Sequence, residues 1–309
     1  MKVGNLSYKK LKTLNRNGKT FKNYELKELT TFKIGGRCTY FLKICTLENF
    51  IQVILYLDKL EIKPVILGNG SNLLVSDKGY KGVVISFGGD LQRVELYDDI
   101  LECGAGVSLG MAFAEAKKIG LGGLEDSAGI PATIGGAVYM NAGAYNFEMS
   151  KIVDYVVAYV DGRISYFDNA ECCFAYRYSI FQDNHAVILR VGLRLERVDR
   201  EFIEERFIEI MHKRKLSQPL EYGSAGCVFK RRDDILVSKA LDEAGFKGLK
   251  CGGAMVSEKH ANFIINYNKA TAQDVYELIQ SIKEKFAKIH NIDLQCEIEF
   301  LGEFDEIKR

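Results

Sequence analysis

The chain of 309 residues is 47% hydrophobic and 27% charged, which fits a globular protein and excludes a disordered one. Its 42 Lys and Arg against 41 Asp and Glu leave a net charge of +1, so no overall field steers it to nucleic acid or a membrane surface. At roughly 100–200 residues per domain, two or three domains are expected. Residues 1–22 are basic but contain no apolar run, so no signal peptide is expected. No stretch approaches the ~18 apolar residues of a membrane span. A reducing, cytoplasmic setting is therefore expected, with Cys38, Cys45, Cys103, Cys172, Cys173, Cys227, Cys251 and Cys296 as free thiols. There is no C-x-x-C and no H-x-x-x-H among His185, His212, His260 and His290, so no metal site is expected. No obligate protein partner is readable.

In chain order, residues 41–75 read as strand, helix, strand and glycine loop. Thr46 is placed to cap the helix, and Ile51, Ile54 and Leu55 give it an apolar face. "KPVIL" (63–67) reads as a buried strand running into "GNGSN" (68–72), and "GVVISF" (82–87) as a further strand. "SLGMAFAEAKKIG" (108–120) reads as a helix between Ser108 and Gly120. Residues 123–149 are small and polar, with no clear period. A stretch of that length and kind in a compact protein usually serves function.

Strands resume at 152–167, where Asp161-Gly162 signals a hairpin turn, and again at 185–198. Residues 200–214 are helical, with Phe202, Ile203, Phe207, Ile210 and Met211 on one side. A domain boundary is expected near 198. The helix 271–291 starts with Thr271 and Asp274 at capping-box spacing and carries a stripe of Val275, Leu278, Ile279, Ile282 and Phe286. The last strand, 294–302, alternates Leu294, Cys296, Ile298 and Phe300 with Gln295, Glu297 and Glu299.

"GNGSN" follows a strand, and glycine lets successive backbone amides close around an anion. It is neither a Rossmann fingerprint, since Leu73 occupies the third glycine position, nor a P-loop. A plain turn and a phosphate loop both remain open for it. "AGIPATIGGAVYMNAGAY" (128–145) adds Pro131, Gly135, Gly136 and Gly143 in a segment poor in charge. Two such loops suit an extended dinucleotide better than a single phosphate. "YGSAGCVFKR" (222–231) sets Cys227 on a glycine-rich bend beside Lys230 and Arg231.

These stretches, with "TTFKIGG" (30–36), "YRYSIF" (176–181) and "CEIEFLG" (296–302), occur in the order found in the UDP-N-acetylenolpyruvoylglucosamine reductase (MurB) family, which the chain resembles from about residue 25 to about 304. The resemblance implies an α+β fold: a two-lobed FAD-binding domain of the vanillyl-alcohol oxidase (PCMH) type and a C-terminal α+β substrate-binding domain. The expected divisions are an extension at 1–24, an FAD domain at 25–198 split near 88, and a substrate domain at 199–309. It implies non-covalent FAD, NADPH as co-substrate, and a UDP-sugar substrate, UDP-N-acetylglucosamine enolpyruvate, reduced for peptidoglycan synthesis. It places FAD contacts at Gly68, Asn69, Gly70, Ser71 and Asn72 and around Pro131, Gly135, Gly136 and Gly143. Arg177 and Glu297 match the family's catalytic arginine and glutamate. Cys227 stands at its proton donor, commonly serine. Lys215, Lys230 and His260 match substrate-binding positions. No inserted tyrosine loop lies between Arg177 and Cys227, so the chain resembles the family's shorter class.

Chemistry gives each of these residues a function and also an ordinary alternative. Reducing an enol ether conjugated to a carboxylate builds negative charge that fixed donors must meet. Arg177 offers a planar charged fork, or is a surface arginine among strands. Glu297 is a protonated donor to that charge, or part of a solvated strand face. Lys215 binds phosphates, or ends a solvated helix; His260 binds substrate, or is a surface residue. Cys227 is an acid, or a small buried hydrophobe. As an acid it must keep its proton, so the charges of Lys230 and Arg231 are expected to point away from it. Another FAD oxidoreductase or oxidase on the same fold would share both glycine loops without the set Arg177, Cys227 and Glu297.

Overall fold

The computed structural model describes residues 6–306. Helices and strands are mixed, and the largest sheet is antiparallel, as the α+β class requires. The chain forms two compact units, neither continuous in sequence. The first comprises residues 6–22, Tyr40–Asn69 and Gly82–His212; the second comprises Asn23–Thr39, Gly70–Lys81 and 213–306.

The first unit is built on a five-stranded sheet in the order Arg163–Asp168, Val153–Val160, Val187–Arg194, Ile100–Gly104, Val94–Tyr97. Its first hairpin turns at Asp161 and Gly162, both with positive φ (49° and 81°), which matches the twist of the strands it joins. The helix Leu47–Asp58 is capped by the Thr46 hydroxyl, which accepts from Asn49 N. It buries Phe50, Val53, Ile54 and Leu57, one helical face. Helix Leu109–Lys118 is capped in the same way by Ser108. Residues 123–149, without period in sequence, are organised here: a short helix Ile134–Tyr139 is followed by a tight pair, Gly143↔Glu148 and Ala144↔Phe147. In helix Arg200–Ser217, Ile203 and Ile210 are buried and Phe207 stacks on Phe113, but Phe202 is 59% exposed, against expectation.

The second unit carries an antiparallel sheet in the order Gly223–Cys227, Phe263–Asn266, Ala254–Val256, Lys250–Cys251. The helix Ala272–His290 buries Val275, Leu278, Ile279, Ile282 and Phe286, and the expected Thr271/Asp274 capping box is present. Phe32, Ile34 and Leu74 share one core cluster with Ile264, Leu278 and Phe286. Strand Leu73–Val75 pairs in parallel with Glu299–Leu301.

The expected linear boundaries at 25 and 198 therefore do not follow the compact units. Residues 23–39 and 70–81 leave the expected FAD domain to pack with the C-terminal residues, because that is where their apolar side chains and strand hydrogen bonds find partners. Helix Arg200–Ser217 runs through the second boundary. The alternating segment 294–302 is a strand only at Glu299–Leu301; Leu294 and Ile298 are buried, but Phe300 is exposed.

Candidate active site

Strand Val65–Ile66 pairs in parallel with Val84 and Ile85 and delivers the chain into the loop 68–72. The backbone N–H groups of Gly68, Asn69, Gly70 and Ser71 donate to no protein acceptor among the described residues. Gly70 sits at φ +57°, and a Cβ there would lie 2.4 Å from Leu29 O, so glycine is required on both counts. Its carbonyl accepts from Thr31 N at 3.3 Å. The loop thus presents successive unpaired amides, the pattern that binds anions.

The second glycine stretch works differently. The amides at the start of Ile134–Tyr139 are already occupied: Ile134 N donates to Val107 O, Gly135 N to Ala105 O and Gly136 N to Thr133 Oγ1. A Cβ at Gly135 would come within 2.8 Å of the Ala105 Cβ, so this glycine permits close packing on its own scaffold. Gly143 likewise leaves room for Phe147 O. Pro131 is exposed on the approach to the helix.

Arg177 occupies the second corner of a tight turn closed by Ala175 and Tyr178, with φ +54°. That left-handed conformation favours glycine or asparagine, so an arginine there stores strain, a frequent feature of functional positions. Arg177 Nη2 donates to Gly143 O at 2.9 Å, and the guanidinium lies 5.0 Å from the ring centre of Tyr176. Gln182 Nε2 donates to Arg177 O at 3.0 Å and to Tyr139 O at 2.8 Å, fixing the turn against the short helix.

In the second unit backbone hydrogen bonds join the segments that carry Cys227 and Glu297. Cys227 ends the strand Gly223–Cys227 rather than sitting on an open bend. A register shift between Ser224 and Cys227, with Gly226 at φ +77°, makes a bulge that re-aims the strand just before the thiol. Gly223 is small because Phe32 O would lie 2.7 Å from a Cβ, and Thr31 Oγ1 donates to Ser224 O at 2.7 Å. "TTFKIGG" thus packs directly on the cysteine strand. Beyond Cys227 the chain turns to a new partner: Phe229 bridges Cys296, Glu297 N donates to Val228 O at 2.7 Å and Lys230 N to Gln295 O at 2.9 Å. Glu297 is therefore hydrogen-bonded to the residue next to Cys227.

Two asparagines hold these segments, and only one of them, Asn72, is singled out in the sequence. Asn262, 6% exposed, accepts from Phe229 N and donates to Phe229 O, both at 2.9 Å, while its own carbonyl accepts from Val228 N at 2.8 Å. Asn72, expected as a flavin contact, donates through its side chain to Glu297 O at 3.0 Å. The sequence signal was weak, because asparagine also marks ordinary turns.

The expected substrate residues are less uniform. Lys230 is half-buried, and its positive charge opposes the burial that raises the pKa of Glu299; that places its charge near a carboxylate. Lys215 is exposed in the last turn of its helix, whereas neighbouring Arg214 is 5% exposed and donates to Gln218 Oε1. His260 is held low in pKa by burial and then by the field of Lys247. Its Nδ1 accepts from Asn262 N at 3.3 Å, so it is a neutral turn-forming imidazole and brings no cation to a phosphate. Burial pushes the Cys38 thiol to about 11 and those of Cys103 and Cys172 to about 12, marking them as structural. Among the described residues no group of His, Cys, Asp and Glu is placed to hold a metal, and no helix is long and apolar enough to cross a membrane.

Residues 40–161 match the FAD binding domain model, and residues 218–301 match the C-terminal domain of UDP-N-acetylenolpyruvoylglucosamine reductase. The reductase of that name from Caldanaerobacter subterraneus subsp. tengcongensis is 41% identical over 295 residues, 95% of this chain and 97% of the relative. That of Thermosipho melanesiensis is 40% identical over 90% of this chain and 94% of its own. This chain belongs to the UDP-N-acetylenolpyruvoylglucosamine reductase family. Its structure is similar to the crystal structure of the Thermus caldophilus reductase, with a TM-score of 0.79 at 36% identity, covering 92% of this chain and 99% of the other. As a reductase of this family carrying an FAD-binding domain, it is an FAD-dependent oxidoreductase. The unpaired amides of loop 68–71 fit the pyrophosphate of that cofactor. The reductase C-terminal match spans Cys227, Lys230, His260 and Glu297; Arg177 and Lys215 lie outside both matched ranges.

Proposed function

We propose that the chain reduces UDP-N-acetylglucosamine enolpyruvate to UDP-N-acetylmuramate, with NADPH as reductant. The observation that supports this reading is the pairing that ties Glu297 N to Val228 O, which joins the segments carrying Glu297 and Cys227 through their backbones. The amides of Gly68, Asn69, Gly70 and Ser71 hold the FAD pyrophosphate, and the segment with Pro131, Gly135, Gly136 and Gly143 supports its ring system. When bound, FAD would supply the hydride chemistry that links NADPH to the enolpyruvyl methylene carbon.

The remaining work belongs to side chains. Adding hydride to the methylene carbon breaks the C=C π bond and leaves the electron pair delocalised toward the substrate carboxylate. Arg177 meets that charge by hydrogen bonding, and Glu297 acts beside it on the same substrate carboxylate. Cys227 donates its proton to the carbon bearing the ether oxygen and is reprotonated from solvent. An unperturbed cysteine, with a pKa of about 8.5, holds its proton near neutral pH and releases it more readily than a serine hydroxyl. Lys230, and Lys215 from its helix end, engage the diphosphate; His260 acts as a neutral hydrogen-bonding group. Peptidoglycan precursor synthesis and a cytoplasmic setting follow from that substrate.

The test is a visible spectrum of the purified protein followed by NADPH consumption with and without the enolpyruvyl sugar nucleotide. A flavin spectrum with sugar-dependent consumption supports the reading. Consumption that depends on oxygen and ignores the sugar nucleotide identifies an oxidase instead.

A further inference from the structure

Asn72 closes the phosphate loop and also grips the segment that carries Glu297. Its side-chain nitrogen donates to Glu297 O at 3.0 Å, and its own carbonyl accepts from Glu299 N at 2.9 Å. These bonds flank Ile298, where the chain changes partners. Up to Glu297 it pairs with residues 228–230; from Glu299 it pairs with Leu73–Val75. The two ladders meet at Asn72, and its carboxamide supplies a hydrogen bond where the strands change over.

The amides of Gly68, Asn69, Gly70 and Ser71 have no protein acceptor among the described residues, so an anion bound there restrains the backbone immediately before Asn72. Asn72 is one residue beyond the last of those amides and is bonded in both directions to the Glu297–Glu299 backbone. A restraint applied to the loop therefore reaches the Glu297 segment through two hydrogen bonds.

We propose that Asn72 is a positioning residue that couples occupancy of the phosphate loop to the placement of Glu297. The carboxylate is then held in its working position only when a pyrophosphate-bearing cofactor is bound. The coupling stands on the hydrogen bonds alone; its catalytic consequence rests on the role proposed above for Glu297.

Amide hydrogen exchange tests the coupling without turnover. In the wild-type protein, saturation with FAD is expected to slow exchange at the Glu299 amide by about fivefold, the effect of firming one hydrogen bond worth on the order of 1 kcal/mol. In Asn72→Ala the increment is expected to fall below about twofold, because the side-chain half of the grip is gone. Equal increments in the two proteins overturn the proposal. Asn72→Asp, which keeps the side-chain volume but turns an acceptor toward Glu297 O, serves if the alanine variant folds poorly; a full wild-type increment in it is equally contradictory. The same variants should lose more in kcat with the sugar nucleotide than in flavin reduction by NADPH, with KM changed less than kcat. Glu297→Gln separates the two readings. If it leaves turnover intact while exchange still depends on Asn72, the role of Glu297 fails and the coupling stands. If it abolishes turnover while exchange ignores Asn72, the coupling fails alone.

Discussion

Replacing Asn262 by alanine tests how the cysteine strand is held. Asn262 makes a two-pronged amide contact with Phe229, both bonds at 2.9 Å, and both residues are buried. Alanine removes both partners and leaves the Phe229 N–H and C=O unpaired in a site too enclosed for easy solvation. A buried backbone group stranded in this way costs about 1–3 kcal/mol, so the pair sums to about 2–6 kcal/mol. That is a large share of a typical total of about 5–15 kcal/mol. Urea unfolding followed by far-ultraviolet circular dichroism and tyrosine fluorescence reads it, since the chain contains no tryptophan. Two compact units make separate transitions possible, and the transition of the unit containing residues 213–306 is the one expected to move. Asn262→Asp supplies a control with a sign. At neutral pH its carboxylate faces the Phe229 carbonyl and repels it, so the variant should be no better than alanine. On acidification the carboxyl gains a proton to donate, and its deficit relative to wild type should shrink. A loss below about 0.5 kcal/mol for Asn262→Ala, with an unchanged denaturant slope, would refute the view that this amide holds the Cys227–Lys230 segment.

Three further expectations follow from the same geometry. Gly70→Ala forces a side chain into a left-handed backbone at a cost of about 1–2 kcal/mol before its clash with Leu29 O is counted, so weakened FAD retention in ultrafiltration should accompany lower stability. Arg177→Lys replaces a fork with a point charge and should cost about 100-fold in turnover; near-normal steady-state rates would remove Arg177 from the mechanism. Because the folded-state pKa of His260 is depressed, its unfolded form binds protons first; its stabilising contribution is intact above the unfolded value of about 6.5 and is lost as pH falls toward the folded value. His260→Gln should therefore show a smaller drop in urea midpoint than wild type between neutral pH and about pH 5.5, and parallel drops would contradict the assignment.

Local features of the fold were readable from sequence because their causes are local. Thr46 before an apolar face, the Thr271/Asp274 pair and the Asp161-Gly162 turn each appear where their chemistry predicts. The division into units was not readable, since it depends on Leu73–Val75 finding Glu299–Leu301 more than two hundred residues away. The alternation over 294–302 suggested one long strand; the segment instead splits its pairing between two neighbours. In the site, the glycine loop and Cys227 stood out through unusual composition. His260 reads in sequence as a substrate-binding position or a surface residue; burial and an accepted hydrogen bond favour its neutral form. Asn262 was missed, and Asn72 reads as a loop donor to the cofactor rather than to Glu297 O, because both replace strand hydrogen bonds and sequence does not show where a ladder breaks.

The central claim is that Cys227 supplies the proton, and stopped-flow separation of the half-reactions of Cys227→Ala tests it most directly. The account predicts that NADPH still reduces the bound flavin at close to the wild-type rate, while reoxidation by the enolpyruvyl sugar nucleotide falls by at least about 100-fold and Cys227→Ser recovers much of it. Equal slowing of both half-reactions, or reoxidation at the wild-type rate without the thiol, would contradict it.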